Sequence, residues 1–494
     1  DGAGAPIGRA AERLRLVIPN RRVARAPFRG AREHASCSRR NVPRLALVLL
    51  LCVASHAPSY AQVTASRSIA VRADSLMRDL AERGLFQGAV VVGRGDQIVY
   101  EGGFGYADVE QRIPFTSSTP TDAASMAKTF TAAALLTLVA EGRVALDARV
   151  RDLLPAYPHA ATRVRHLLSH SAGLPGYEWL DSRVAAGQPR TNASHLALVS
   201  RDAPMPAFVP GSAFSYDNVA YDVAAMVVER VSGASYPDVL AERFFRPLGL
   251  TAFVRPARFA DWQGNRTRGY RRTNEGMAAH DAYDLEGFHG AANVYLSARD
   301  LHKWLAGYRR VVPPQALRNA RRPARLDDGR TSGISLGSWY LSPDTKRRYY
   351  TGHHNGFFSV AYADDARDLT VAWVANDAPP AWLQPALARA LIAIAEGRSP
   401  ETLAPPPVSD AVTDITGTYR VSTQGEVRVR RDGERLIVRV RGVPYDAFAV
   451  GGDTHYVPGL DAYLRFGTSA SGVRALRWDS IYAVEPSVPR RAPR

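Results

Sequence analysis

Apolar positions recur at helical spacing through RSIAVRADSLMRDLAER (67–83), and the pattern then changes to strand-like runs. GAVVVGRGDQIVYEGGFGYAD (88–108) reads as two strands, AVVVG and QIVYEGGFG, joined at a Gly-Asp turn. A long apolar helix is predicted from Ser125 to about Glu141, with Asp122 near its start as a cap. Further helices fit 219–232, 236–245 and 297–307. Four late strands follow, SLGSWYLS, RRYYTG, FFSVAYA and LTVAWVAND, before an apolar helix over 382–396. Strands at both ends with helices between them predict one antiparallel sheet built from both ends of the unit. RSPETLAPPPVSD (398–410) is a Pro-rich linker. Beyond it, 411–494 holds only short strands and turns (GTYRVS, EVRVRRDGERLIVRVRG, AYLRFG, RALRWD), a small all-β domain whose plain role is packing or spacing.

Charge changes this picture only at the start of the chain. The 494 residues carry a formal +16, but residues 1–61 hold 11 arginines against Asp1, Glu12 and Glu33. The rest carries a modest surplus without a Lys/Arg run, so a nucleic-acid partner is not expected. RRNVPRLALVLLLCVASHAPSYA runs from basic to apolar to small-x-small, the order of a secretory signal with cleavage before Gln62. Residues 1–61 are therefore read as a leader, in part an over-extended start, and 62–397 as the main domain. This predicts a periplasmic or secreted protein that meets the membrane only transiently through that segment. Both cysteines, Cys37 and Cys52, lie in the leader, which leaves the mature chain without disulfides or thiolate chemistry.

Candidate chemistry centres on TDAASMAKTF (121–130). Lys128 is one of only three lysines in the chain. It stands three positions after Ser125, on the same helical face. A neutral amine can take the serine proton, whereas a guanidinium cannot. The first helical turn helps stabilise developing negative charge, and the apolar helix would desolvate the amine. The pair alone is weak, since serine precedes a lysine at this spacing about one time in fifteen at ordinary serine usage. Two further motifs strengthen it. FSYDNVAYDV holds Tyr216, able to relay protons, and Asn218, able to hold a substrate carbonyl. RRYYTGHHNGFFSVAYA offers a strand edge with a backbone N–H for an oxyanion hole.

Taken in order, these runs resemble the serine β-lactamase and penicillin-binding-protein superfamily, in its class C and D-alanyl-D-alanine carboxypeptidase/esterase branch. The resemblance spans most of 86–378 and includes VRHLLSHSAGLPG, YDNVAYDVAAMVVERVSG, FFRPLGL and HGAANVYLSARDLHKW. It implies an α+β fold of the β-lactamase/transpeptidase type: an antiparallel sheet flanked by helices, a helical subdomain, and here the small C-terminal all-β domain. It also implies Ser125 as the acyl-forming nucleophile, Lys128 as its base or proton shuttle and Tyr216 as partner base and leaving-group acid. Asn218 would contact a substrate amide. Thr351 and Gly352 would face Ser125 across the cleft, and the N–H groups of Ser125 and of a residue just after Gly352, His354, would form the oxyanion hole. Tyr350 departs from the usual Lys or His, so it brings neither a charge for a substrate carboxylate nor support for a tyrosinate at Tyr216.

No G-x-S-x-G or H-E-x-x-H occurs, and neither a cofactor nor a metal is expected. His166 and His170 read as loop-packing residues. The expectation is a serine hydrolase acting on a small-molecule or peptide substrate: a β-lactam, a D-amino-acid peptide or a small ester. The alternatives are a catalytically weak penicillin-binding or sensor module of the same fold, and a cell-wall binding protein led by the β domain. The sequence leaves the oligomeric state open.

Overall fold

The computed structural model describes residues 60–487 apart from 185–189, 256–266, 274, 282–286, 343, 405–414, 422–423, 434, 452, 459, 469–473 and 481–483. Nearly all of the predicted leader and the second half of the Pro-rich linker lie outside the described residues. Helix α1 (Tyr60–Glu82) leads into strands β1 (Gly88–Arg94) and β2 (Gln97–Phe104). The apolar helix predicted from Ser125 is a 3-10 turn (Ala124–Met126) running into α2 (Ala127–Ala140). Helices α3 (Asn218–Ser232) and α4 (Ala298–Val311) follow. Then come β3 (Tyr340–Leu341), β4 (Arg347–His354), β5 (Phe357–Asp364), β6 (Leu369–Ala375) and α5 (Leu383–Ala395).

The main sheet has the order β3-β4-β5-β6-β1-β2, and every pairing is antiparallel. Strand β1 therefore lies beside β6, with Gly88 opposite Ala375. This is the expected sheet built from both ends of the domain. Strands β5 and β6 are buried along their whole length, the pattern of strands covered on both faces. Helix α4 packs on β1, β5 and β6, while α1 and α5 pack on each other and on β2 and β6 respectively. Helix α2 is buried from Ala127 to Leu138, as befits a helix that is apolar all round. Phe130 stacks on Trp304 of α4 at 4.1 Å between ring centres, and the Trp304 indole donates to Thr129.

The stretch read as one strand in SLGSWYLS is broken. Thr331–Ser335 and β3 are separated by a turn in which Ser338 takes a φ of 61°. A two-residue connection, Asn355-Gly356, closes β4 against β5, with φ of 30° and 83°. Both values are positive, as a type I′ hairpin requires, and Asn-Gly is the dipeptide that accepts them most readily.

The C-terminal domain is an eight-stranded antiparallel meander in sequence order. Its strands are β7 (Gly417–Val421), β8 (Gly425–Asp432), β9 (Arg435–Val440), β10 (Val443–Gly451), β11 (Thr454–Val457), β12 (Ala462–Thr468), β13 (Arg474–Ser480) and β14 (Val484–Ser487). Strands β10, β11 and β14 escaped the sequence pattern. Their runs are short or interrupted by proline, so alternation is too brief to register.

Candidate active site

The turn that presents Ser125 is fixed from several sides. Asp122 accepts the Ala124 N–H at 2.8 Å, the Ala123 N–H donates to the Val294 carbonyl at 2.9 Å, and the Ser359 hydroxyl donates to the Ala123 carbonyl at 2.8 Å. Ala124 is held at a φ of 51°, a left-handed conformation that costs an alanine about 1–2 kcal/mol. Strain of this kind persists where neighbours over-determine the backbone, and here it sits one residue before the candidate nucleophile.

Lys128 is fully buried, and its ammonium nitrogen lies 3.0 Å from Ser125 Oγ and 2.9 Å from the Ala291 carbonyl oxygen. The Tyr216 and Tyr221 rings lie 5.1 and 5.8 Å from the same nitrogen. The sequence spacing therefore does bring serine and lysine together. Asp222 fixes the loop that supplies the Ala291 carbonyl, because its carboxylate accepts the Ala291 N–H at 3.2 Å and the Tyr177 hydroxyl at 2.8 Å.

Burial raises the Asp222 carboxyl to about 8 against an ordinary 3.8, so the protonated form is the one the fold favours. The stability contributed by that raised value is complete below about pH 4 and is lost as pH climbs toward 8. The variant Asp222→Asn has no such group. Its stability relative to the parent is expected to rise with pH between 5 and 8, by at most about 1.4 kcal/mol per unit. Denaturant midpoints across that range measure it, and a pH-independent difference would refute the ionisation argument.

Tyr216 is placed by a residue that the sequence reading took for loop packing. The His170 ring is completely buried, stacks on Tyr216 at 4.6 Å and accepts the Asp217 N–H at Nδ1 (3.0 Å). Burial, with the Lys128 charge adding to it, drives His170 down to about 3, so it is a neutral wall. The Tyr216 hydroxyl lies 3.0 Å from the Tyr350 hydroxyl. Tyr350 is 1% exposed, and burial raises its phenol well above the usual range, so it keeps its proton. Tyr350 thus supplies no charge, as expected, but the expectation that it gives Tyr216 no support is corrected. The two hydroxyls share one hydrogen bond in which either oxygen can donate, so Tyr350 still holds the Tyr216 hydroxyl in place.

Gly352 packs directly on the nucleophile turn. A Cβ there would stand 2.3 Å from the Ala123 carbonyl oxygen, 2.6 Å from Ser359 Oγ and 3.1 Å from the Ser125 nitrogen. Beyond the short strand β3, which reaches only Tyr349, the outer edge of β4 is open. The Ser342 N–H donates to the Arg347 carbonyl across that edge. Strand alternation then turns the N–H groups of Thr351 and His353 outward and those of Gly352 and His354 toward β5. The tight Asn355-Gly356 turn agrees, since it makes His354 and Phe357 the closing bonded pair. The cleft-side N–H just after Gly352 is therefore that of His353, not the expected His354. The His354 side chain bonds Asp122 at 3.0 Å and so braces the Ser125 turn.

Asn218 stands half-buried at the first position of α3, next to Asp217, which caps the helix by accepting the Ala220 N–H at 3.0 Å. Thr351 donates to Asp461 of the C-terminal domain at 2.8 Å. A groove of about 570 Å³ opens at the far end of β4, lined by residues including Arg271, Arg272, His280, His353 and His354. Sequence reasoning missed His170, Ser359 and Asp461 as parts of this surround. His170 and Ser359 lay in quoted motifs, but Asp461 reaches Thr351 only through tertiary contact.

The Beta-lactamase family model matches residues 73–396, about two thirds of the sequence. The chain belongs to the Beta-lactamase family. Penicillin-binding protein 4* of Bacillus subtilis is 24% identical over 408 residues, which cover 74% of this chain and 87% of that one. Among solved structures, the octameric penicillin-binding protein homologue from Pyrococcus abyssi superposes with a TM-score of 0.57 at 21% identity, over 84% of this chain and 99% of that one. D-amino acid amidase from Ochrobactrum anthropi SV3 gives 0.52 at 24% identity, over 64% and 91%. The family comprises serine β-lactamases and penicillin-binding proteins, and the β-lactamase/transpeptidase fold with an added all-β domain is the one this Beta-lactamase-family chain adopts. Among its described residues no helix is long and apolar enough to cross a membrane, and no group of three or more His, Cys, Asp or Glu is placed to hold a metal.

Proposed function

We propose that the chain is a secreted or periplasmic serine hydrolase that cleaves amide or ester substrates through an acyl-enzyme on Ser125. The observation that carries this reading is the fully buried Lys128 nitrogen 3.0 Å from Ser125 Oγ. In its neutral form that amine takes the hydroxyl proton as Oγ attacks the substrate carbonyl. The carbonyl oxygen becomes negative and is received by the N–H groups of Ser125 and His353. Tyr216, held by His170 and supported by Tyr350, delivers a proton to the leaving nitrogen or oxygen as its bond to carbon breaks. Water then attacks the acyl carbon, the Tyr216 oxygen that gave up its proton takes one from that water, and Lys128 returns the serine proton to Ser125 Oγ as the acyl bond breaks. Asn218 is the candidate contact for a substrate amide. The similarity to D-amino acid amidase supports amides as one substrate class.

The test is intact mass over time for the chain from Gln62 onward, incubated with a penicillin and separately with an activated phenylacetyl ester. A mass gain in the parent that is absent from Ser125→Ala is the expected result. An adduct that decays as substrate is consumed marks a hydrolase, and one that persists marks a penicillin-binding module. Turnover of ester or penicillin by Ser125→Ala at the parent rate would refute the reading.

A further inference from the structure

The C-terminal domain meets β4 at Thr351 through Asp461. Asp461 stands between β11 and β12 with a φ of 44°, in a turn whose Leu460 and Asp461 N–H groups donate to the Val457 and Pro458 carbonyls. It is 5% exposed. One of its carboxylate oxygens accepts Tyr456 at 2.7 Å and Thr351 at 2.8 Å, and the Tyr349 hydroxyl also bonds the carboxylate. The turn is anchored to the main domain: the Tyr340 hydroxyl donates to the Pro458 carbonyl, and Arg389 pairs with Asp479 at 2.6 Å. Phe214 packs on Tyr445 at 5.1 Å.

Direction along β4 gives this contact a meaning. Gly352 abuts Ser125, and Tyr350, two residues earlier, holds the Tyr216 hydroxyl. A leaving group that takes its proton from Tyr216 therefore departs toward the Thr351 end of the strand. There the Thr351 hydroxyl already donates to Asp461, and Tyr350 brings no positive charge. A carboxylate on the leaving group would find the Thr351 hydroxyl already committed to Asp461 and would meet that second carboxylate in a poorly solvated place.

We propose that Asp461 is a specificity-determining residue: through Thr351 it rejects substrates whose leaving group carries a carboxylate and admits neutral amides and esters. This deepens the Ser125 reading and rests on it. Burial lifts the Asp461 carboxyl only to about 6, so the group is charged at pH 8.

The test compares two esters of phenylacetylglycine at pH 8, one with 3-hydroxybenzoic acid and one with 3-hydroxybenzamide, which differ in charge and hardly in size. In the parent, kcat/KM for the amide-bearing ester is expected to exceed that for the acid. In Asp461→Asn, and in Asp461→Ser should the first fail to fold, the acid-to-amide ratio is expected to rise by about tenfold or more. Equal kcat/KM for both esters in the parent overturns the inference without any variant, and so does an unmoved ratio in a folded variant. Absence of Ser125-dependent cleavage of the amide-bearing ester refutes the hydrolase reading itself and removes the inference with it, so the two failures are distinguishable.

Discussion

In Lys128→Arg, kcat on an ester or amide substrate is expected to fall by about 100- to 10,000-fold, the range of a lost general base. The substitution puts a permanent cation where the Lys128 nitrogen now stands 3.0 Å from Ser125 Oγ and 2.9 Å from the Ala291 carbonyl. It removes only the ability to become neutral, because a guanidinium holds its proton throughout the working pH range. Lys128→Met removes charge and base together while fitting the same apolar surround. Equal losses in the two variants would assign Lys128 to proton transfer. Arginine activity within about tenfold of the parent would instead mean that charge alone is needed. Thermal unfolding of each variant separates a missing base from a missing fold.

In Gly352→Ala, kcat/KM is expected to fall by about 100-fold, the loss associated with displacing a reacting group by about 1 Å. The new methyl would press on the Ala123 carbonyl at 2.3 Å and approach the Ser125 nitrogen at 3.1 Å. Neither is the far end of a flexible side chain. The relief available is a shift of β4 or of the Ser125 turn, and each opens the space between them. Overpacking of this type costs about 1–3 kcal/mol, so the protein should fold with a lowered Tm. Comparing kcat/KM with the amount of folded protein checks it, and an alanine variant with parental kcat/KM would show that the two backbones are not held this tightly.

Much of this candidate site is legible in the sequence. Ser125 and Lys128 are local to one helix, and three-residue spacing fixes their proximity without knowledge of the fold. The strands of the main sheet announced themselves because β5 and β6 are continuous apolar runs bounded by turn residues. What remained hidden has two different causes. The Tyr216–Tyr350 contact spans 134 positions and the Thr351–Asp461 contact 110, and no local pattern encodes such pairings. The choice between His353 and His354 was different, since the signal was present. Asn-Gly at 355–356 favours a two-residue hairpin, which makes His354 the closing bonded residue and turns the His353 N–H outward. His170 was read as packing, and it does pack, but against the ring of Tyr216.

The seam between β1 and β6 has a consequence for how the protein comes into being. Gly88 cannot find Ala375 until almost the whole domain has been synthesised. Ser125 and Lys128 leave the ribosome early, whereas the strand that faces them arrives more than two hundred residues later. A sheet closed by so distant a pairing forms late and slowly, because the intervening chain must be gathered before the contact repays it. On the proposed reading Ser125 is therefore silent during synthesis. A chain cut short between α2 and β4 carries Ser125 and Lys128 without the strand that sets Gly352 against them, and the sheet is complete only once β6 seats beside β1.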